Sequence, residues 1–260
     1  MTGPIPTLAP DETLATIVTS TAAPTQTLQP VEISPHGEYA VVWVPSDESL
    51  AARQPAGISG TILEELDWDA RDVWLTENKT FLGSSLWLEI SLEDELTGWV
   101  NAWNLTRYVP SEIFCRDPAV FSLLDDFQQI VKQGDAEGLE DLVDQDRGLT
   151  IRLSWYTPDV QYSIDEISTL FISKEEVEWG TMADSGVEIS GSFEEVILTK
   201  LKEVFTGQHE MRCNQLGSGN TSGEVKWPDE FVNINYMSFF RPAEEGGNIF
   251  DWSTWAVGIE

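Results

Sequence analysis

Histidine is scarce in this sequence, which contains only two, His36 and His209. Zinc peptidases and amidases bind their metal through two or three imidazoles and a carboxylate, so the scarcity argues against that class of enzyme. Cysteine is equally scarce, with two residues in 260. A cysteine peptidase needs a reactive thiolate beside a histidine, and the pairing of Cys213 with His209 lacks the usual strand-to-helix setting. We therefore predict no metal, no other cofactor and no cysteine nucleophile.

Basic residues are also few: 14 Lys and Arg stand against 45 Asp and Glu, which gives a net charge of −31 at pH 7. A field of this sign repels phosphate backbones and anionic lipid surfaces, so we predict no nucleic-acid partner. The glycine-rich loop at residues 217–219 is not followed by a lysine or a predicted helix, so it does not indicate a phosphate-binding loop. Whether the acidity suits high salt, calcium or neither stays open.

Long hydrophobic runs are missing as well. No stretch of about 18 apolar residues occurs, so we predict no transmembrane segment, and the N-terminus lacks the basic and apolar regions of a signal peptide. Residues 1–30 are instead rich in Thr, Pro and Ala, a composition typical of extended, disordered chain. The stretch resembles the stalks of bacterial surface lipoproteins, whose lipid anchor would lie upstream. We predict a secreted or surface-tethered, extracytoplasmic protein, with an ordinary disordered tail as the alternative.

The first half of the chain contains short strand patterns between residues 38 and 109. The clearest are residues 86–90 (LWLEI) and 98–106 (GWVNAWNLT). In the second of these, Val100 is predicted to face an interior, while Trp99, Asn101 and Trp103 alternate onto the opposite face. Tryptophan is abundant, with 11 residues in the chain, and its large rings can fill a core or serve as stacking platforms.

Residues 38–109 resemble bacterial SH3-like (SH3b) domains. The resemblance rests on three segments in order: residues 49–57 (SLAARQPAG), 86–90 and 98–105 (GWVNAWNL). They are similar to the family's leucine–arginine strand with its proline–glycine turn, its Trp-bearing strand and its closing Gly-Trp-Val segment. Ala51 and Ala52 stand where the family usually has Asn-Val. The resemblance implies a small β-barrel at residues 31–111, usually a non-catalytic module that binds cell-wall or other extracellular ligands.

Four residues of this barrel are candidates for ligand binding: Trp87, Trp99, Asn101 and Trp103. The functional interpretation is an aromatic platform that stacks on sugar rings or bound peptide, with Asn101 as a hydrogen-bond partner. The alternative is that Trp99 and Trp103 pack the barrel against the rest of the chain.

After residue 111 the apolar spacing becomes helical. A helix is predicted from Pro118 to a stop at Gly134, and Asp135 is placed to cap the next. Two serine–glutamate capping boxes, at residues 163–166 and 192–195, predict two further helix starts. Strand patterns follow around 149–155, 210–216, 231–240 and 250–259.

Early helices and late strands predict an α+β domain at residues 112–260, in which helices pack on one side of a curved antiparallel sheet. An NTF2-like cone, which has a pocket, is one such arrangement. Four residues are possible pocket residues: Asn233, Asn235 and Trp252 at polar-facing positions of the late strands, and Trp179, which precedes a glycine turn. The alternative is that these are ordinary residues of a sheet face.

The two cysteines bear on the compartment. In an exported protein a pair of cysteines usually forms a bridge, whereas two cysteines of a cytosolic protein are usually independent. Because the stalk composition and the acidity favour export, we predict a disulfide between Cys115 and Cys213. Two free, buried thiols are the alternative.

These observations predict a non-enzymatic binding protein of the bacterial cell envelope that recognises wall or extracellular glycan or peptide through the SH3-like barrel. The alternative is a glycan hydrolase in the C-terminal domain, because such enzymes need only two carboxylates roughly 5 to 9 Å apart. With 45 acidic residues, the sequence leaves that possibility open.

Overall fold

The structure is a computed structural model that describes residues 38–181, 186–219, 225–249 and 251–260. These residues all belong to one compact unit, which combines four antiparallel sheets with short helices. The stalk predicted at residues 1–30 lies outside the described residues. None of the described helices is long and apolar enough to cross a bilayer.

The first region of the chain is a single seven-stranded antiparallel sheet. Its strands are β1 (Glu38–Val41), β2 (Ser49–Gln54), β3 (Thr61–Asp67), β4 (Val73–Leu82), β5 (Ser85–Ser91), β6 (Thr97–Asn101) and β7 (Leu105–Arg107). They lie in the order β3-β2-β6-β5-β4-β1-β7. No pairing between described residues joins β3 to β7, so the sheet is not a closed barrel.

The sheet encloses its own hydrophobic core. Every strand contributes to it, with Val41, Ala52, Val73, Ile90, Val100 and Leu105 buried and Leu66 of β3 packed against them. One core shared by seven strands requires a strongly curved sheet. Gly98 in β6 allows the closest approach, because a Cβ atom there would lie 2.9 Å from Leu92 Cδ1 and 3.1 Å from Ala52 Cβ.

Strand β6 ends earlier than the predicted alternation. Val100 is buried and Trp99 and Asn101 are half-buried, as the pattern indicates. The Asn101 side chain then accepts a hydrogen bond from the Trp103 backbone N–H and begins a 3₁₀ turn, Ala102–Asn104. Trp103 therefore lies on a turn, and its ring direction follows from that turn and not from the strand.

The second region contains five α-helices and seven strands among the described residues. The helices are α1 (Ser111–Phe114), α2 (Pro118–Gln133), α3 (Ala136–Glu140), α4 (Ile164–Leu170) and α5 (Thr199–Thr206). The strands are β8 (Leu149–Ile151), β9 (Val160–Tyr162), β10 (Val177–Thr181), β11 (Glu188–Gly191), β12 (Glu210–Cys213), β13 (Asn235–Arg241) and β14 (Ser253–Ile259). They form two hairpins, β8-β9 and β10-β11, and a three-stranded sheet in the order β12-β13-β14.

The predicted helix ends are confirmed. Asp117 accepts the Ala119 N–H in front of α2, and Gly134 ends that helix in the left-handed conformation, with φ of 71°. Asp135 caps α3 by accepting the Gly138 N–H. These contacts satisfy backbone groups that the helix ends would leave unpaired.

Both predicted capping boxes are present. Ser163 and Glu166 bond reciprocally at the start of α4. At the second box, the Ser192 N–H donates to Glu195 Oε2 and the Glu195 N–H donates to Ser192 Oγ. The helix that follows begins with a π-helical turn, Glu194–Leu198, and continues as α5.

The strand predicted at 149–155 is shorter in the structure, where β8 ends at Ile151. The chain turns afterwards because the Thr157 N–H donates to the Ser154 carbonyl, and the Ser154 N–H donates to Thr157 Oγ1. These local bonds compete with continuation of the strand.

Helices α2, α4 and α5 pack with β13 around a second hydrophobic core. Phe205 of α5 contacts Phe239 of β13 edge to face, with ring centroids 4.9 Å apart. The predicted disulfide between Cys115 and Cys213 is confirmed and joins the entry of this region to β12. Its two Cα atoms are 5.7 Å apart across 98 positions of sequence.

A third cluster joins the two regions. Val42 is buried against Phe231 and Ile234. The Asn233 side chain lies beside them, and its amide donates to the carbonyl of Val41 at 2.8 Å while its oxygen accepts from Arg71 Nε at 2.7 Å. The start of the first sheet is therefore tied to the segment that precedes β13.

Candidate functional site

A cavity of about 740 Å³ lies along strand β14. Its wall includes the nine consecutive residues 252–260, and helix α2 contributes Leu123 and Phe127. Residues 147–150, which include the first two residues of β8, and residues 152–155, which come after β8, also line the cavity. Its volume lies within the range of roughly 300–1,000 Å³ that is typical of ligand pockets in proteins.

Tryptophan is concentrated in this wall. Five of the 11 tryptophans line the cavity: Trp43, Trp155, Trp227, Trp252 and Trp255. Such rings offer flat apolar surfaces on which sugar faces, aromatic rings or apolar side chains can pack. The wall thus gathers residues from both regions of the chain, since Trp43 follows β1.

Several of these rings are held in place by their neighbours. Trp43 packs edge to face on Phe231 with centroids 4.6 Å apart, and Trp227 stacks on Tyr236 at 4.3 Å. The indole N–H of Trp227 donates to the Phe231 carbonyl at 2.7 Å. Rings fixed in this way present a preorganised surface, which lowers the entropy lost when a ligand binds.

Arg152 occupies the centre of a charge network at the cavity wall. Its guanidinium bonds both oxygens of Asp159, at 2.8 and 2.9 Å, and Glu230 at 2.7 Å, and lies 5.2 Å from the centroid of the Phe231 ring. Burial alone would lower the pKa of Arg152, but hydrogen bonds and charge from the two carboxylates outweigh it and raise the pKa. The network fixes the segment after β8 to the turn that carries Phe231.

A second ion pair lies just beyond the C-terminal end of β14. Arg147 Nη1 is 2.6 Å from Glu260 Oε1 and 2.6 Å from Oε2, and Nη2 donates to the Leu105 carbonyl. Burial raises the pKa of the Glu260 carboxyl, the charge and hydrogen bonds of Arg147 lower it, and the charge of Asp144 raises it further, with a net upward shift. Asp144 and Glu260 are the two carboxylates among the residues that line the cavity.

Three residues of the wall contain buried polar atoms that have no hydrogen-bond partner among the described residues. They are Trp43 Nε1, Ser253 Oγ and Thr254 Oγ1. Trp43 also has a φ of 61°, a left-handed conformation that bulky residues rarely adopt. Unpaired buried polar atoms and backbone strain of this kind are concentrated at functional sites.

The four candidate residues of the first region lie in different surroundings. Trp87 is buried, with 6% of its surface exposed. Trp99 is half-buried in β6, where it lies across from Arg53 and Glu89. Trp103 lies 6.0 Å from Trp43 between ring centroids, with the Arg147 guanidinium 5.8 Å from its ring. Trp103 is therefore the member of this set that borders the cavity wall, and Asn101 holds its turn.

The four possible pocket residues of the second region are also separated. Trp252 lines the large cavity, whereas Trp179 is 1% exposed in the core and donates its indole N–H to the Gly191 carbonyl. Asn233 and Asn235 line a second, more polar pocket of about 340 Å³. Their amides are occupied by structural bonds, because Asn235 donates to the Val109 carbonyl and accepts from Asn214.

Sequence reasoning did not select most of the cavity wall. Trp227, Phe231 and Arg147 carry no recognised motif, and Phe231 and Arg147 obtain their places from partners far away in sequence, Trp43 for the first and Leu105 and Glu260 for the second. The available signal was the unusual number of tryptophans, together with the alternation that placed Trp255 in a late strand.

In the described parts of the chain no group of three or more His, Cys, Asp and Glu residues has an arrangement that could hold a metal ion. Compared with known proteins, the chain matches no family model, no curated protein and no solved structure.

Proposed function

We propose that this chain is a non-enzymatic binding protein of the bacterial cell envelope that acts outside the cytoplasm and recognises wall or extracellular glycan or peptide. The observation that carries the proposal is the cavity of about 740 Å³ with five tryptophans in its wall. A preformed pocket with aromatic walls and few convergent polar groups is the arrangement expected of a ligand site. The binding site proposed from the structure is thus this cavity, with Trp103 at its border.

The proposed compartment is supported by the chemistry of the chain. Both cysteines are joined in one disulfide, and such bonds persist in oxidising environments. The net charge of −31 and the Thr/Pro-rich residues 1–30 agree with a surface-tethered protein.

We extend the proposal to the fold of each region. The seven-stranded sheet around its own core supports an SH3-like assignment for residues 38–109. The helices packed against β12–β14, with a cavity along β14, support an NTF2-like arrangement for residues 112–260. In this proposal the first region contributes Trp43 and Trp103 to a site that the second region mainly builds.

The test compares a cavity residue with a residue of the first sheet in the full chain. Titration calorimetry against cell-wall fragments, a polysaccharide panel and peptides identifies a ligand, and Trp252→Ala and Trp99→Ala are then compared. We expect Trp252→Ala to weaken binding about tenfold or more, as hot-spot aromatic residues do, and Trp99→Ala to leave it nearly unchanged. The opposite ranking would place the site on the β6 face, and failure of the whole panel to bind would overturn the proposal.

A second candidate function is glycan hydrolysis, favoured by Asp144 and Glu260 in one cavity and by the raised pKa of Glu260. Arg147 contacts both oxygens of Glu260. This ion pair occupies the carboxylate, whereas a general acid would need it free. We therefore expect no release of reducing ends above a buffer blank. Turnover that Glu260→Gln abolishes would establish the hydrolase instead.

A further inference from the structure

Two strands that border the cavity each have an unpaired edge. Strand β14 pairs with β13 alone, and β8 pairs with β9 alone, among the described residues. No hydrogen bond to another described residue reaches the outward backbone groups of Ser253–Ile259 or of Leu149–Ile151. An exposed strand edge with free N–H and C=O groups is a template for another strand.

Both free edges belong to the same cavity. The wall contains every residue of β14, odd and even positions alike, so the strand presents its backbone edge and not only one face. It also contains Leu149 and Thr150 of β8. The ion pair between Arg147 and Glu260 joins the segment just before β8 to the residue just after β14, and both residues line the cavity.

We propose that the cavity binds an extended, largely apolar peptide as an added β-strand between β8 and β14. This inference rests on the proposed binding function and names its ligand class. A peptide in the β conformation presents N–H and C=O groups on both of its edges, so it can pair with both free strands at once. A glycan has no such regular alternation of donors and acceptors.

The side chains around the edges fit the same ligand. Strand β14 begins with Ser253 and Thr254, whose hydroxyls are buried without a partner among the described residues, and continues with the apolar residues Trp255, Ala256 and Val257. The rings of Trp43, Trp227 and Trp255 provide apolar surface for the side chains of an inserted strand. At about 3.3 Å per residue, the seven residues of β14 offer an edge of about 23 Å, enough for a peptide of up to seven residues.

The test selects a peptide and then measures its backbone bonds. A phage library of random heptapeptides is panned on the full, disulfide-bonded protein, and enriched peptides are synthesised with one N-methyl group at each position in turn. N-methylation removes one backbone donor, and we expect about tenfold weaker binding at consecutive positions, because successive N–H groups point to opposite neighbours. Loss at alternate positions only would indicate a single edge and overturn insertion between two strands.

Two variants locate the bound peptide. Ala256→Trp places a large side chain in the cavity wall and should abolish binding, whereas Trp99→Ala on the first sheet should not change it. Circular dichroism and the melting temperature of each variant establish that it is folded. Protection of β14 amides from hydrogen exchange in the complex provides an independent readout that does not depend on the variants.

The outcomes separate this inference from the proposed function. Enrichment of peptides that tolerate N-methylation everywhere, or no enrichment at all, overturns strand addition. If a glycan binds instead and Trp252→Ala weakens it, the binding function holds and the peptide inference falls. If neither library nor glycan panel binds, both proposals fall together.

Discussion

The seven-stranded sheet and the second region differ in what their strands surround. The strands of the sheet surround a core that the sheet's own residues fill. The second region leaves β8 and β14 with free edges beside a cavity and relies on links between distant residues, such as the disulfide across 98 positions. We infer from this difference that the first region contributes mainly stability, and that the second leaves space for the proposed site.

The largest expected effect comes from removing the disulfide that links distant parts of the second region. Removal of the disulfide by the double substitution Cys115→Ser and Cys213→Ser should lower the free energy of unfolding by about 4 to 5 kcal/mol, because a loop of this length loses much entropy when it is closed. Chemical denaturation monitored by tryptophan fluorescence measures the change.

Reductant provides the matched control for that experiment. It should destabilise the native protein by a similar amount and should not affect the double variant. Equal stability of the native and reduced proteins would contradict a structural role for the bridge.

The next effect tests how firmly the two regions are joined. Asn233→Ala removes the bonds to the Val41 carbonyl and to Arg71 Nε, and it deprives the carbonyl of the buried Val41 of the Asn233 donor. We expect a loss of about 1 to 3 kcal/mol in the free energy of unfolding. Gln133→Ala, at the exposed end of α2, is the control and should change it by less than about 0.5 kcal/mol.

Separation of the two transitions would sharpen the comparison. If Asn233 joins the regions, its loss should let the first sheet and the second region melt at different temperatures. An unchanged single transition with no loss of stability would show that the hydrophobic contact of Val42 with Phe231 and Ile234 is sufficient.

Local structure could be predicted from the sequence where the cause was local. Asp135 caps α3 and Ser163 pairs with Glu166 because these contacts need only a spacing of three residues. The Cys115–Cys213 bridge could be predicted because two cysteines allow only one pairing. Strand bounds were less accurate where a side chain intervened, as at Asn101.

The site could not be predicted to the same extent, because its residues meet only in the fold. Trp252 and Trp179 are both predicted as pocket residues, yet Trp252 lines the cavity and Trp179 is buried. The difference is set by the Gly191 carbonyl, which accepts the Trp179 N–H from 12 positions away. Likewise Trp43 reaches the wall through Phe231, a contact that no spacing rule indicates.

A smaller expected effect tests whether the unpaired hydroxyl of Thr254 in the cavity wall lowers the stability of the protein. Thr254→Val keeps the shape of the side chain and removes a buried hydroxyl that has no partner among the described residues, so we expect the free energy of unfolding to rise by up to about 1 kcal/mol. Thr76→Val in the first sheet is the matched substitution. It removes the bond from Thr76 Oγ1 to Glu89 at 2.8 Å and should lower stability by about 1 kcal/mol. Two losses of similar size would contradict the contrast.

The smallest effect compares two carboxylates through pH. In the first sheet, hydrogen bonds from Asn78, Thr76 and Thr97 lower the pKa of Glu89 below its usual 4.5, against the opposing effect of burial. Its contribution to stability is therefore fully present above about pH 4.5 and is lost as the pH falls through the lowered folded pKa. The pKa of Glu260 is raised, chiefly by burial, so the folded state binds its proton more tightly than the unfolded state does. Stability must then fall as the pH rises from 4.5 through the raised folded pKa.

The measurement uses two differences in unfolding free energy from pH 3 to 7. The first is the value for the native protein minus that for Glu89→Gln, and the second is the value for the native protein minus that for Glu260→Gln. We expect the first difference to rise with pH and the second to fall. Two slopes of the same sign would show that the cavity carboxylate is not desolvated, and would remove the electrostatic difference between the packed sheet and the site.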